Sequence, residues 1–161
     1  MAKTFFPQQR QLTCVVAALR SVLATQFGVA IREDLLRFAG DDAQAPIVKF
    51  GAGTGQIRQM LDVANRAANT GPRWRLRVRQ RATVADLARE VRDGRVPMAH
   101  IAIADRDDIR HMVVVCGYRP GRVRYFDPAT GRRRWVGAGA FRAVWLDPTG
   151  ATWLAVVTDG R

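Results

Sequence analysis

Four residues carry the side chains of a thiol hydrolase, in the order Gln8, Cys14, His111 and Asp127. A cysteine thiolate is a good nucleophile, and a nearby imidazolium or helix N-terminus favours that ionised form. A histidine can act as the general base, and a carboxylate can fix its tautomer. A glutamine amide can donate to the oxyanion of a tetrahedral intermediate. These residue types favour attack by Cys14 on a carbonyl carbon.

Cys14 lies at the start of an apolar run with helical spacing. Small and apolar side chains recur every three or four residues as far as Val22, which predicts a helix from about Cys14 to Gln26. Thr13 is the predicted N-cap. The free amides of the first helical turn and the helix dipole would both favour a thiolate at Cys14. The alternative is that Cys14 is a small buried hydrophobic residue, as free cysteines often are.

The predicted base and its carboxylate come from two strands joined by a turn. His111 precedes an apolar run that predicts a strand, and Asp127 ends a second predicted strand. Arg119 to Gly121 is predicted to form the turn between them. His111 and Asp127 each lie eight residues from Arg119. A loop centred there would bring the two side chains together, whereas a tight turn would offset them by a few residues.

The run from Gln8 to Leu19 resembles the nucleophile motif of papain-like cysteine peptidases. It is most similar to the branch that removes double-glycine leaders from bacteriocins. Four later segments resemble elements of that branch in the same order: Gly94–Pro97, His111–Tyr118, Phe126–Gly131 and Phe141–Trp145. The resemblance spans about Gln8 to Trp145 and is loose between Gly40 and Arg81. Val15 departs from it, because this family usually has glycine after the nucleophile, and so does Arg110 directly before the histidine.

The resemblance implies an α+β papain-like fold. In that fold an N-terminal nucleophile helix packs on an antiparallel β-sheet that carries the histidine and the aspartate. Cys14 would be the nucleophile, His111 the base and then the acid, and Asp127 the residue that orients His111. Gln8 and the Cys14 backbone amide would hold the oxyanion. No metal or organic cofactor is expected for this reaction.

The order of the predicted elements gives the same fold class. The predicted helices are about Cys14–Gln26, Arg32–Phe38, Gln56–Ala68 and Thr83–Arg92, with a capping box at Thr83 and Asp86. The predicted strands are about Trp74–Gln80, Met98–Ala104, Met112–Tyr118, Val123–Phe126, Arg133–Val136 and Trp153–Val157. Helices that precede an antiparallel sheet indicate an α+β protein. The chain of 161 residues is predicted to form one domain, residues 1–161.

The second cysteine, the second histidine and a glycine-rich run are predicted to be structural. Alternation along the strand places Cys116 on the face opposite to His111, so Cys116 is a predicted core residue and a disulfide with Cys14 is not expected. His100 precedes another apolar run and is the alternative base. Gly51 to Gly55 lacks the residues that complete a P-loop and is predicted to be a loop before a helix. The cysteines and histidines also lack the close spacing of a zinc site.

The chain is strongly basic, with a formal net charge of +12 and a pI near 11.4. Arginines alternate with other residues from Arg73 to Arg81, which predicts a strand with five arginines on one face, and Arg132 to Arg134 form a second cluster. Such faces could bind nucleic acid through its phosphates, or attract an acidic substrate or inhibitor protein. The third interpretation is a solvated surface that only maintains solubility.

The first functional hypothesis is a papain-like cysteine peptidase that cleaves a protein substrate. No run is long enough to span a membrane, and the N-terminus has no apolar signal region. The predicted location is therefore cytoplasmic, or secreted without a cleaved signal peptide. A free-standing, strongly basic peptidase domain resembles the C-terminal toxin modules of bacterial effectors, which implies delivery into a target cell's cytoplasm and inhibition by an immunity protein that is often acidic.

Two alternatives remain at this stage. The same thiol site could deamidate or cross-link glutamine side chains, as a deamidase or transglutaminase-like effector. The chain could also be an inactive module that binds nucleic acid or protein through its arginine-rich faces.

Overall fold

A six-stranded antiparallel sheet forms the centre of the fold. The computed structural model describes residues 3–41, 53–69, 73–103, 106–146 and 150–160. The strands are β1 (Trp74–Gln80), β2 (Met98–Ile103), β3 (Arg106–Arg119), β4 (Arg122–Asp127), β5 (Arg132–Gly137) and β6 (Trp153–Asp159). They lie in the order β1-β6-β2-β3-β4-β5, and each neighbouring pair is antiparallel. β1 and β5 are therefore the two edges of this sheet.

Helices cover both faces of the sheet. They are α1 (Cys14–Phe27), α2 (Glu33–Gly40), α3 (Thr54–Ala67), α4 (Val84–Arg92) and α5 (Ala138–Trp145). Residues of α1, α2 and α3 share a first hydrophobic core with one face of the sheet, and residues of α4 and α5 share a second core with the other face. Along β3, Met112 and Val114 belong to the first core, while Val113 and Val115 belong to the second. The predicted α+β class is confirmed.

α5 is the helix that the sequence pattern does not predict. It follows Gly137 and contains Gly139 in its first turn, and glycine is unfavourable inside a helix. Tertiary contacts hold the helix instead. Phe141 and Trp145 are each 1% exposed, and the Trp145 indole donates to the Trp153 carbonyl over 2.8 Å. Burial of two aromatic rings therefore outweighs the low local propensity.

Thr13 is the N-cap residue of α1, as predicted, but its side chain does not cap the helix. Thr13 has a φ of −94° and a ψ of 19°, and its side chain makes no capping hydrogen bond. Its hydroxyl lies 2.8 Å from the Arg10 carbonyl oxygen and 3.0 Å from Glu33 Oε1, both of which are acceptors. The Thr13 hydroxyl is therefore used outside the helix, while the Thr13 carbonyl accepts the first helical hydrogen bond from the Ala17 amide.

The capping box of α4 is confirmed. The Thr83 hydroxyl accepts from the Asp86 amide at 3.1 Å, and Asp86 Oδ2 accepts from the Thr83 amide at 2.9 Å. Of the predicted loop from Gly51 to Gly55, the first two residues lie outside the described residues, and the last two, Thr54 and Gly55, open α3 instead. No helix in the described part of the chain is long and apolar enough to cross a membrane.

Replacing Phe141 by alanine should lower the free energy of unfolding by about 3 to 5 kcal/mol, because the lost ring leaves a cavity in the second core. The Phe141 ring packs against Tyr125 and Trp145, with centroid distances of 5.8 and 5.7 Å. Val144→Ala on the same helix is the matched control. Val144 is 38% exposed, so its replacement should change that free energy by less than about 0.5 kcal/mol. Urea denaturation measures both variants, and equal losses would show that Phe141 does not anchor α5.

Candidate active site

β3 and β4 form the hairpin that connects His111 to Asp127. The strands meet at a two-residue turn in which Gly121 has a φ of +75°, a conformation that glycine adopts without strain. Because this turn is tight, Asp127 does not lie directly opposite His111. Continuing the observed register by one residue places Asp127 opposite Val113. The two site residues are therefore diagonal neighbours on adjacent strands, within reach of each other.

A β-bulge at Cys116 decides which face of the sheet Asp127 shares. The register of β3 and β4 shifts by one residue there, and Cys116 has no partner on β4. Side chains alternate along a strand, so a shift of one residue exchanges the faces of all later pairs. Without the bulge, Asp127 would lie opposite Val114 and share the face of the first core. With it, Asp127 shares a face with His111.

Asp127 is held by its own turn and by two basic side chains. Oδ1 accepts from His111 Nε2 at 2.6 Å and from the Ala129 amide at 2.9 Å, which closes an Asx turn. Oδ2 accepts from Arg134 Nη2 at 3.0 Å. Burial raises the pKa of Asp127, but the hydrogen bond with His111 and the charge of its ring lower it to about 2. The carboxylate is therefore charged at neutral pH.

His111 contacts both Asp127 and Cys14. Its Nε2 faces Asp127, so Nδ1 is the ring nitrogen left for the Cys14 thiol. Burial lowers the pKa of His111, but the hydrogen bonds with Asp127 and Cys14 outweigh burial and raise the pKa to about 9. His111 is therefore an imidazolium at neutral pH. An imidazolium beside a cysteine favours the thiolate, which is the nucleophilic form.

Cys14 is the first residue of α1 and is 7% exposed. No side chain caps this helix, so the amides of its first turn can face a developing negative charge. Val15, the next residue of α1, is 3% exposed and belongs to the first core. The valine side chain is therefore accommodated within the first core.

The Gln8 backbone is hydrogen-bonded to the turn that follows Asp127. Its amide donates to the Pro128 carbonyl over 2.9 Å. Gln8 Oε1 is buried and has no hydrogen-bond partner among the residues that the structure describes. An unpaired buried amide oxygen is uncommon in folded proteins, so the Gln8 side chain keeps unused hydrogen-bonding capacity next to Asp127.

Glu33 holds the residues that precede the nucleophile, although no motif in the sequence marks it. Its Oε1 accepts from the Gln9 amide at 3.2 Å and from the Thr13 hydroxyl at 3.0 Å, and its Oε2 accepts from Arg20 at 3.2 Å. Glu33 is 4% exposed and Arg20 is 9% exposed. Leu12, in the same segment, has a φ of +60°, a backbone conformation that residues other than glycine rarely adopt. The buried ion pair therefore fixes a strained loop.

His100, the alternative base, stacks on Trp153 with ring centroids 4.3 Å apart. Burial lowers the pKa of His100, together with the charges of Arg110 and His111, to about 4. Arg110 donates to the carbonyl of Leu146 over 2.7 Å, at the C-terminal end of α5, where a cation is favourable. His100 is therefore neutral and stacked, as expected for a structural residue. The histidine that contacts Cys14 and Asp127 is His111.

Cys116 is a core residue, as predicted. It is 7% exposed, belongs to the first core, and burial raises the pKa of its thiol. Cys14 and Cys116 are both free. In the described ranges, no three histidine, cysteine, aspartate or glutamate side chains lie close enough together to hold a metal ion.

A family model described as the Peptidase_C39 like family matches residues 3–152. The chain belongs to this family. The family consists of papain-like cysteine peptidases, so the predicted class of enzyme is confirmed. No curated protein matches the sequence.

Three solved structures share the fold of this C39-like peptidase. The peptidase domain of Streptococcus ComA, a bi-functional ABC transporter involved in a quorum-sensing pathway, has a TM-score of 0.70 at 17% identity and covers 98% of this chain and 99% of its own. A C39-like peptidase from Bacillus anthracis has a TM-score of 0.68 at 18% identity, with 99% and 96% covered. A double glycine motif protease from an AMS/PCAT transporter, in complex with the leader peptide, has a TM-score of 0.64 at 17% identity, with 96% and 91% covered. The predicted papain-like fold is confirmed.

Glu33→Gln should lower the free energy of unfolding by about 3 kcal/mol, because it leaves the buried Arg20 guanidinium without a carboxylate. Asp34→Asn is the matched control on the same helix. Asp34 pairs with Arg32 on the surface, where the two side chains are 48% and 82% exposed, and such pairs contribute less than about 1 kcal/mol. Chemical denaturation compares the two variants. Equally small losses of unfolding free energy in the two variants would show that Glu33 is not essential to the loop.

The ring-proton NMR signals of His111 should show a titration midpoint near pH 9. His100 is the other histidine of the chain and provides the internal control, since its pKa is lowered to about 4. Asp127→Asn should lower the His111 midpoint by at least about one unit, because it removes the carboxylate. The folded-state pKa of His111 is above its ordinary value, so its charge stabilises the fold below about pH 6.5, and this stabilisation is lost as pH rises through about 9. A His111 midpoint near 6.5 would contradict the ion pair.

Proposed function

We propose that the chain is an endopeptidase in which Cys14, His111 and Asp127 form the catalytic triad. The observation that carries this proposal is the double contact of His111, with the Cys14 thiol on one side and Asp127 on the other. A histidine that joins a thiol to a buried carboxylate is the arrangement that nucleophilic catalysis by cysteine requires. Gln8 completes the site as a donor to the oxyanion.

The reaction follows from these positions. The Cys14 thiolate attacks the carbonyl carbon of the peptide bond and forms a tetrahedral adduct. His111 gives its proton to the leaving amine as the carbon–nitrogen bond breaks, which leaves a thioester on Cys14. His111, now neutral, takes a proton from water as the water oxygen attacks the thioester. The acid product leaves, and the thiolate and imidazolium are restored.

The oxyanion of the adduct needs preorganised donors. Gln8 Nε2 and the backbone amide of Cys14 are the donors that we assign to it. The uncapped first turn of α1 supports the second assignment, and the tether between Gln8 and Pro128 supports the first. Donors of this kind typically contribute a factor of about 10² to 10³ to kcat, so Gln8→Ala should reduce kcat by that factor.

The proposed substrate is a polypeptide, and residues 1–161 are proposed to form one peptidase domain. One of the similar structures was determined with a leader peptide bound, which supports a polypeptide substrate. The family match over residues 3–152 and the coverage of 98% of the chain by the ComA peptidase domain support the single domain.

We also retain the toxin role as a proposal, with an acidic immunity protein as the inhibitor. Its support is the net charge of +12, which would attract an acidic partner. Growth of bacteria that express wild type or Cys14→Ala in the cytoplasm tests it. Growth inhibition by wild type alone is expected, and equal growth of both strains would contradict the toxin role while leaving the peptidase proposal intact.

Comparison of the proteomes of cells that express wild type, Cys14→Ala or Cys116→Ala tests the peptidase proposal directly. New protein N-termini should appear with wild type and with Cys116→Ala, which removes the buried thiol outside the site. They should be absent with Cys14→Ala, whose activity on the identified substrate should fall by about 10³-fold or more. Intact chains with deamidated or cross-linked glutamines would replace this proposal by the deamidase or transglutaminase alternative. Identical termini from all three would contradict catalysis by Cys14.

A further inference from the structure

A cluster of basic and aromatic side chains covers one face of the sheet near its β5 edge. We call this cluster the basic platform and define it by Lys3, Arg119, Arg124, Arg133, Phe5 and Trp135. Arg124 pairs with Trp135 across β4 and β5, and Arg133 pairs with Phe126 one step along. Alternation then places Arg124, Arg133 and Trp135 on the same face.

The aromatic rings order the arginines of the basic platform. The guanidinium carbons of Arg119 and Arg124 lie 4.7 and 5.8 Å from the centroid of the Trp135 ring. The guanidinium carbon of Arg133 lies 5.7 Å from the centroid of Phe5, within the usual range for a cation–π contact. Guanidinium groups that are already ordered lose less conformational entropy when a ligand binds.

Gly117 allows the rings and the arginines to come this close. A Cβ at Gly117 would lie 3.1 Å from Arg124 Cβ and 3.4 Å from Trp135 Cη2. A larger residue there would push both side chains away. Gly117 directly follows the β-bulge, so the same irregularity of β3 shapes the active site and the basic platform.

The positive charge of the basic platform is not neutralised within the protein. In the described ranges, none of its four basic side chains forms an ion pair with a carboxylate. Three of the basic groups, Lys3, Arg124 and Arg133, lie close enough to Cys116 to act electrostatically on its thiol. Lys3 Nζ donates only to the Cys116 carbonyl, over 2.7 Å, among the described residues, and the side chains of Arg119 and Arg133 are exposed. These groups can therefore accept an external acidic ligand.

The arginines along β1, at the other edge of the sheet, differ from the basic platform because most of them pair with carboxylates. Arg73 pairs with Asp159, Arg77 with Glu90, and Arg79 with Asp86. These pairs satisfy three of the five arginines of the predicted stripe inside the protein. In the second cluster Arg134 pairs with Asp127, whereas Arg133 forms no ion pair among the described residues and stays available to an acidic ligand.

The basic platform adjoins the proposed active site. Arg133 lies opposite Phe126, the residue before Asp127, on the face of the sheet that carries the first core, to which Cys14 belongs. Phe5 lies three residues before Gln8 and stacks on Phe126, with ring centroids 5.0 Å apart. A chain that reached the site along the β5 edge would therefore pass the basic platform.

We infer that the basic platform binds an acidic stretch of the polypeptide substrate beside the bond to be cleaved. This inference rests on the proposed peptidase function and adds a substrate class to it. β5 is an edge strand, and an edge strand can pair with an extended peptide backbone. Substrate carboxylates would then form charge-assisted hydrogen bonds with the guanidinium groups.

The same observations favour a peptide over nucleic acid. Binding of single strands relies on aromatic faces that are free to stack with bases. Here Trp135 and Phe5 already have a guanidinium over the ring. An unpaired strand edge offers backbone donors and acceptors that match a peptide and that nucleic acid binding does not require.

The first experiment measures binding without cleavage, by fluorescence anisotropy with the full-length Cys14→Ala protein. The probes are a short oligoglutamate peptide, a glycine–serine peptide of equal length, and a single-stranded oligonucleotide of equal net charge. Arg119→Glu/Arg133→Glu should weaken oligoglutamate binding by about tenfold or more. The matched control is Arg75→Glu/Arg81→Glu on the β1 side, which makes the same change in net charge and should alter the affinity by less than about twofold.

Three outcomes would overturn the inference. Equal weakening by the two double variants would show attraction to the overall charge rather than to the basic platform. Tighter binding of the oligonucleotide, with the same sensitivity to Arg119 and Arg133, would make it a nucleic-acid surface. No binding of oligoglutamate would exclude the acidic peptide.

A second experiment separates this inference from the proposed function. With a substrate found by proteome comparison, acidic flanking residues should lower KM, and Arg119→Glu/Arg133→Glu should raise KM and leave kcat unchanged. Cleavage that does not depend on acidic residues would reject the basic platform and keep the peptidase. Oligoglutamate binding without any Cys14-dependent cleavage would reject the peptidase and keep the acidic-ligand site.

Discussion

The one-residue register shift at Cys116 is the constraint on which the site depends. It places Asp127 on the face of the sheet that His111 occupies, and the resulting contact fixes the charge of both groups. His111 in turn contacts Cys14, at the start of α1. Gly117, next to the bulge, leaves room for the basic platform on the opposite face. One irregularity in a regular hairpin thus sets the geometry of two surfaces.

The segment before α1 connects the three parts of the proposed site. Gln8 is tied to the turn after Asp127, and Gln9 and Thr13 are tied to Glu33. Burying the Glu33–Arg20 pair costs desolvation free energy, so its contribution to stability is not its main consequence. The main consequence of the pair is that it holds the loop containing the strained Leu12 in one conformation. A fixed loop would keep the proposed oxyanion donors in place before the substrate arrives, which is what electrostatic preorganisation requires.

The fold is shared with relatives at 17 to 18% identity, so a shared fold cannot account for which substrate this chain selects. Surface charge can, because it is free to vary while the core is preserved. Here three arginines on the β1 side pair with carboxylates of α4 and β6, whereas the arginines of the basic platform form no ion pair among the described residues. Net charge alone would not distinguish these two surfaces. Ion pairing within the protein decides which positive charge is available to a partner.

The sequence by itself determined the class of enzyme, since its motifs resemble those of papain-like cysteine peptidases and the family match over residues 3–152 confirms that class. It also determined the helices and strands with clear local patterns, such as α1, β1 and the capped start of α4, because periodicity and capping involve neighbouring residues. Only the tertiary structure decided the bulge, the burial that holds α5 together, the partners of Glu33 and the neutralisation of one arginine cluster. Each of these depends on residues that are distant in sequence, such as Thr13 and Glu33, which are 20 positions apart, and a local pattern does not encode which distant residues meet.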